Sequence, residues 1–152
     1  MAREHSIILS SENETAALAG KFAKVLTKGD TVLLSGDIGA GKSFFCRAVL
    51  RSVFGAELEV PSPTFTIVQT YEDGDQEYWH CDLYRLSNPD EAIELGLDEA
   101  FEEAICLIEW PDRLGDLRPV GALEIHMAAE VDHHRLTVSM SDDWERRLSH
   151  VL

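Results

Sequence analysis

The 152-residue sequence predicts an α/β domain with a mixed parallel and antiparallel sheet flanked by helices, and three observations carry that expectation. First, the apolar run Thr31-Val32-Leu33-Leu34-Ser35 has the length of a buried strand and feeds directly into the glycine-bearing stretch GDIGAGKS at 36–43. Second, apolar residues then recur at helical spacing through Phe45, Ala48 and Val49, so a helix runs from Lys42 to about Val53. Third, Ile67 to Tyr71 and Glu77 to Leu83 are β-rich stretches joined by the turn Glu72-Asp73-Gly74-Asp75, which is the signature of an antiparallel hairpin.

The other elements follow in chain order. Ser6 to Leu9 is expected as an edge strand. Ser11 and Glu14 form a capping box, each side chain satisfying an otherwise unpaired amide, and a helix continues through Leu18, Phe22, Val25 and Leu26 until Gly29-Asp30 ends it. The eight residues GDIGAGKS satisfy the pattern GxxxxGK[ST], and strand, loop and helix stand in the order that pattern requires. The expected fold is therefore a single P-loop NTPase-like domain over residues 1–152. In VPSPTFT, at 60–66, two prolines forbid a regular helix and favour an extended loop. A helix is expected at Asn88-Pro89-Asp90-Glu91, with Asn88 as cap and Pro89 at the first helical position. Ala104 to Ile108 is a short apolar run closed by Glu109, and Pro111 stops regular structure just beyond. Leu123 to Met127 and Leu136 to Met140 read as a last pair of strands, and Asp142 to Leu152 as a terminal helix. No repeat, low-complexity tract or linker interrupts the chain.

Hydrophobic residues make up 45% and charged residues 27%, the balance of a globular domain rather than a disordered chain. A domain of this size buries roughly 70% of the surface its unfolded chain exposes, enough for one core. No apolar stretch approaches the roughly 20 residues that span a bilayer, and no signal peptide is legible at the start. The expectation is a cytoplasmic protein with no membrane contact. Cys46, Cys81 and Cys106 are widely spaced and form no CxxC pair, so free buried thiols are expected. Lysine and arginine number 13 against 28 aspartates and glutamates, a formal charge of −15, and all four lysines lie within the first 42 residues. Such a surface repels nucleic acid; binding to a protein partner that holds it is the better expectation.

A pocket for a polyanion in so acidic a chain is a matter of range. The amides of Gly39, Ala40, Gly41, Lys42 and Ser43, within a loop that also includes Asp37 and Ile38, and the Lys42 ammonium act over a few ångströms. Surface carboxylates are screened over a Debye length of about 8 Å at physiological salt. A magnesium ion held by the Ser43 hydroxyl would neutralise more of a triphosphate and needs acidic partners. Glu109, delivered by an apolar run to the end of a strand, is the first candidate, although aspartate is usual at such a position. Asp82, which follows Tyr78-Trp79-His80-Cys81, is the second, on magnesium through water or orienting the attacking water.

GDIGAGKS, PSPTFTIV, HCDLYRL, LGLDE and ICLIEWPDR, in this order and spacing over about residues 10 to 128, resemble the motifs of the TsaE (YjeE) family. That family is the ATPase subunit of the bacterial machinery that makes N6-threonylcarbamoyladenosine in tRNA. The resemblance implies that Lys42 and Ser43 bind phosphate and magnesium, that Glu109 binds magnesium, and that Asp82 lies near the γ-phosphate. It also implies that Thr64 senses the γ-phosphate, that Trp110 flanks the nucleotide, and that Ser11, Glu12 and Thr15 lie near adenine. Serine at position 43 stands where many members have threonine, which keeps the hydroxyl.

The expected activity is ATP hydrolysis, with ATP and Mg2+ as ligands, slow in isolation and completed or coupled by a partner complex resembling TsaB with TsaD. Contact with tRNA is expected only through that complex. Arg85 and Arg135 are the arginines considered for the transferring phosphate, Arg135 also as a nucleotide-binding residue. The rival enzyme is a small-molecule kinase, for which Arg113 and Arg118 could supply a lid, and a third class is a nucleotide-sensing module without turnover.

Overall fold

The computed structural model describes residues 3–61 and 67–152, so Thr64, expected to sense a γ-phosphate, lies outside the described residues. Seven strands form one sheet in the order β1-β7-β6-β2-β5-β4-β3: β1 (Arg3–Leu9), β2 (Thr31–Ser35), β3 (Val68–Asp73), β4 (Gln76–Asp82), β5 (Ile105–Glu109), β6 (Leu123–Ala129) and β7 (His134–Met140). The central pairs β6–β2, β2–β5 and β5–β4 are parallel, while β1–β7, β6–β7 and β3–β4 are antiparallel. The mixed sheet expected from the sequence is therefore present, with its parallel strands in the middle, where both faces are covered.

Alternation along the central strands assigns the two faces. Val32 and Leu34 of β2, with Ile105 and Leu107 of β5, pack in one core with the helices α1 (Glu12–Ala23), α2 (Lys42–Phe54) and α5 (Asp142–Arg147). Leu33, Cys106 and Ile108 point the other way, onto α3 (Asp90–Glu94), α4 (Leu97–Glu103) and a 3-10 helix at Pro111–Leu117. By the same two-residue period Glu109 shares the face of Leu107, and His80 and Asp82 share the face of Tyr78. Three polar side chains are thus aimed at the start of α2.

Local chemistry explains most boundaries. The Ser11 hydroxyl accepts the Glu14 amide at 3.2 Å as the sequence predicts, while the Glu14 carboxylate accepts the Ser10 amide at 3.0 Å, one residue before the cap. Five expectations are corrected. α1 stops at Ala23 with Lys24 as its cap, so Val25 and Leu26 lie beyond the helix and not in its last turn. The helix near Asn88 begins at Asp90 with Pro89 at its cap; Asn88 instead accepts the Asp90 amide, and Glu91 reaches back to Ser87. Ile67 lies outside β3 with φ +68, and the hairpin turn tightens to Gly74-Asp75, so β3 extends to Asp73. Pro111 ends the strand but opens a 3-10 helix, because its missing N–H costs nothing in a first turn. The terminal helix stops at Arg147, after which the chain turns on itself and Leu152 hydrogen-bonds back to Leu148.

Candidate active site

The loop between β2 and α2 carries Gly36, Gly39 and Gly41 at positive φ and leads into the N-terminus of a 13-residue helix. Gly36 has no room for a side chain, since a Cβ there would lie 2.1 Å from the Met127 carbonyl oxygen of β6. Lys42 opens the helix and is buried; its ammonium donates to the Gly36 carbonyl and lies 3.7 Å from the centre of the Trp110 ring. Burial pushes its pKa down, opposed by the negative charges of Glu109, Asp82, Asp37 and Asp112.

Opposite the loop, Ser43 Oγ donates to Glu109 Oε1 at 2.8 Å. Glu109 Oε2 faces His80 Nε2 at 2.7 Å, and both side chains are buried. Asp82 pairs in register with Glu109 across β4 and β5, and one of its oxygens accepts the Tyr84 amide at 3.0 Å. Trp110 follows directly, held in the left-handed region at φ +60, a conformation that costs a non-glycine residue about 1 kcal/mol or more. Its ring lies 4.9 Å from that of Tyr84. These groups enclose a cavity of about 460 Å³ lined by Gly39, Gly41, Lys42, Ser43, Asp82, Glu109 and Trp110, with Ile38 exposed at its rim.

The donor set fits magnesium. A hydroxyl, a buried carboxylate and a second carboxylate one strand away are hard oxygen ligands, and the Ser43 hydroxyl keeps its lone pairs because its proton is spent on Glu109. Cys46 also approaches His80 and Glu109, their ligand atoms lying within 4.8 Å of one another. Burial, before any neighbouring charge, pushes that thiol well above its ordinary pKa, so it stays neutral and acts as an apolar wall.

A second cavity of about 460 Å³ adjoins the first, Gly41 and Phe44 lining both. Ser11, Glu12 and Thr15 line it on the α1 side, and Met127, Glu130 and His133 on the β6–β7 side. The structure thus brings the loop, Asp82, Glu109 and Trp110 into one cavity and the three α1 residues into its neighbour. Within the loop, Ala40 donates to the Asp37 carbonyl at 3.1 Å, and neither side chain lines the cavity. Arg135 departs from the expectation: its Nε donates to Glu130 at 2.6 Å, and it lines neither cavity. Arg47, one helical turn past Ser43, does line the first cavity and went unread in the sequence. His80 went unread as well, although its two-residue spacing from Asp82 puts both on one strand face.

The family model for "Threonylcarbamoyl adenosine biosynthesis protein TsaE" matches residues 9–137. The chain belongs to the TsaE family. A Rickettsia bellii TsaE, called a tRNA threonylcarbamoyladenosine biosynthesis protein, is 43% identical over 129 residues, covering 85% of this chain and 90% of that protein. The TsaE of Bacillus subtilis, with the same description, is 38% identical over 123 residues, covering 80% and 76%. The crystal structure of Bacillus subtilis YdiB superposes with a TM-score of 0.82 at 28% identity, covering 99% of this chain and 95% of that one. The matched TsaE segment contains the loop, both acidic strand ends and the three α1 residues. No helix among the described residues is long and apolar enough to cross a membrane.

Proposed function

We propose that this chain binds ATP with magnesium and hydrolyses it as the nucleotide-driven subunit of a TsaB–TsaD-like complex that makes threonylcarbamoyladenosine in tRNA. The observation that carries the reading is the Ser43–Glu109 hydrogen bond at 2.8 Å, in one cavity with Lys42 and Asp82 at the N-terminus of α2. A polyphosphate in that cavity meets the loop amides and Lys42 on one side and a hard-oxygen cation site on the other. Magnesium, when bound, would neutralise charge on the phosphate oxygens. Lys42 holds phosphate, Ser43 and Glu109 hold the cation, Asp82 orients the attacking water, and Thr64 senses the γ-phosphate. Trp110 and Tyr84 shield the site from solvent. The neighbouring cavity beside Ser11, Glu12 and Thr15 takes the base, which accounts for two adjoining spaces of similar volume.

No arginine other than Arg47 lines the phosphate cavity among the described residues, and Arg135 is committed to Glu130. Charge compensation from a partner is the corresponding expectation, so turnover by the isolated chain should be slow. Phosphate release from ATP, measured for the chain alone and with the purified TsaB–TsaD-like partners, tests this. The expected result is release that rises by about tenfold or more with the partners. Equal rates in both samples would contradict the coupling. Phosphate transfer to a small hydroxyl acceptor would show a kinase instead, and binding without any release would show a nucleotide sensor.

A further inference from the structure

Glu109 is 2% exposed, and each of its carboxylate oxygens faces one hydrogen-bonding neighbour: Ser43 Oγ at Oε1 and His80 Nε2 at Oε2. An ionised carboxylate only accepts, so the network assigns the ring proton of His80 to Nε2. The other ring nitrogen agrees with that assignment, for Nδ1 is buried and has no hydrogen-bond partner among the described residues. A nitrogen carrying a proton would be costly to leave in that position, whereas a bare lone pair is less so. The whole polar function of His80 is therefore directed at one oxygen of Glu109.

The ladder between β4 and β5 fixes the backbones of both residues but does not by itself set the Glu109 side-chain rotamer. Released from His80, that carboxylate can turn its Oε1 away from Ser43. We propose that His80 is a positioning residue for the cation site: its Nε2–H anchors Oε2, which holds Oε1 on the Ser43 hydroxyl and presets the pair that receives magnesium. This role rests on the magnesium–nucleotide reading of the cavity. Outer hydrogen bonds of this kind orient a metal ligand, and losing one costs about 10- to 100-fold in metal affinity. Cys46 is fully buried beside the pair, so the hydrogen bond lies in a low-dielectric surrounding where it is strengthened.

The direction of the hydrogen bond makes the role testable with two amides. In His80→Gln the side-chain NH2 reaches the place of Nε2, whereas in His80→Asn it reaches only the place of Nδ1; His80→Leu offers no donor. The whole chain and its variants are titrated with ATP at a series of magnesium concentrations and also without magnesium. The leucine and asparagine variants should need about tenfold or more magnesium for half-saturation, the glutamine variant should return to within about threefold, and binding without magnesium should change little in any of them. Long-range nitrogen–proton NMR of the ligand-free wild-type chain should show the Nε2–H form. A merely structural histidine would weaken magnesium-free binding equally and would not separate glutamine from asparagine. Unchanged magnesium dependence in His80→Leu, or an Nδ1–H form, overturns the proposal; should the leucine variant not fold, the amide pair and the spectrum decide. A wild-type chain that binds no ATP at any magnesium concentration would overturn the nucleotide reading itself, and the positioning role with it.

Discussion

Gly36 and Gly39 both lie in the loop at positive φ, yet their surroundings differ. A side chain at Gly36 would collide with the backbone of Met127, which cannot swing aside because β6 is locked between β2 and β7. A side chain at Gly39 meets nothing within 4 Å. Gly39→Ala should therefore cost only the conformational strain, about 1 kcal/mol, whereas Gly36→Ala should cost at least about 3 kcal/mol by chemical denaturation. Equal losses would mean that Met127 can move. Only one half of that contrast was legible in the sequence. The pattern GxxxxGK[ST] requires glycine at 36 and leaves 39 open, but the strand that crowds Gly36 begins 87 residues later, so local spacing holds no trace of it. Lys42 tells a similar story: the motif marks it as the candidate for phosphate, while its contact with Trp110 depends on how β5 lies beside β2.

Among elements, those whose own residues supply a start or a period matched expectation in that feature, although α1 stops at Ala23, short of the expected Gly29. Ser11 with Glu14 sets the start of α1, and the apolar period of β2 and β5 sets their faces. Elements that depend on distant partners did not. α5 is six residues long, and its far end is held by Arg147, which donates to Asp30 Oδ1 and to the Val25 carbonyl at 3.0 Å each and lies 4.0 Å from the Trp144 ring. Asp30, by its hydrogen bond, raises the pKa of Arg147, which stays charged throughout the physiological range. This clamp ties the C-terminus to the turn that feeds β2. Arg147→Ala should lower stability by about 2 kcal/mol, and Arg147→Lys should recover only part of it because a lysine cannot make the forked contact. Denaturant midpoints measure both, and a neutral alanine variant would show the clamp to be ornamental. The sequence reading carried α5 on to Leu152 because nothing in Asp142 to Leu152 itself marks Arg147 as a stop.

For the whole molecule, the sheet order decides the site. Placing β2 between β6 and β5, with β4 next, brings a loop and two strand-end carboxylates 40 and 67 residues further along than Lys42 to one edge. Apolar runs ending in Glu109 and Asp82 already placed both carboxylates at strand ends beside the loop; the hydrogen bonds among Ser43, Glu109 and His80 became visible only once the strands were registered. In the proposed reading the net charge of −15 is no bar to an anion, because the acidic residues that face the cavity, Asp82 and Glu109, are also the ones a cation would need. Titration calorimetry of magnesium ATP into the wild-type chain and into Lys42→Ala, at about 0.15 M salt, tests this balance most directly. The account expects saturable binding to the wild type and a loss of about 100-fold or more in the folded variant. Equal affinity in the two would contradict it.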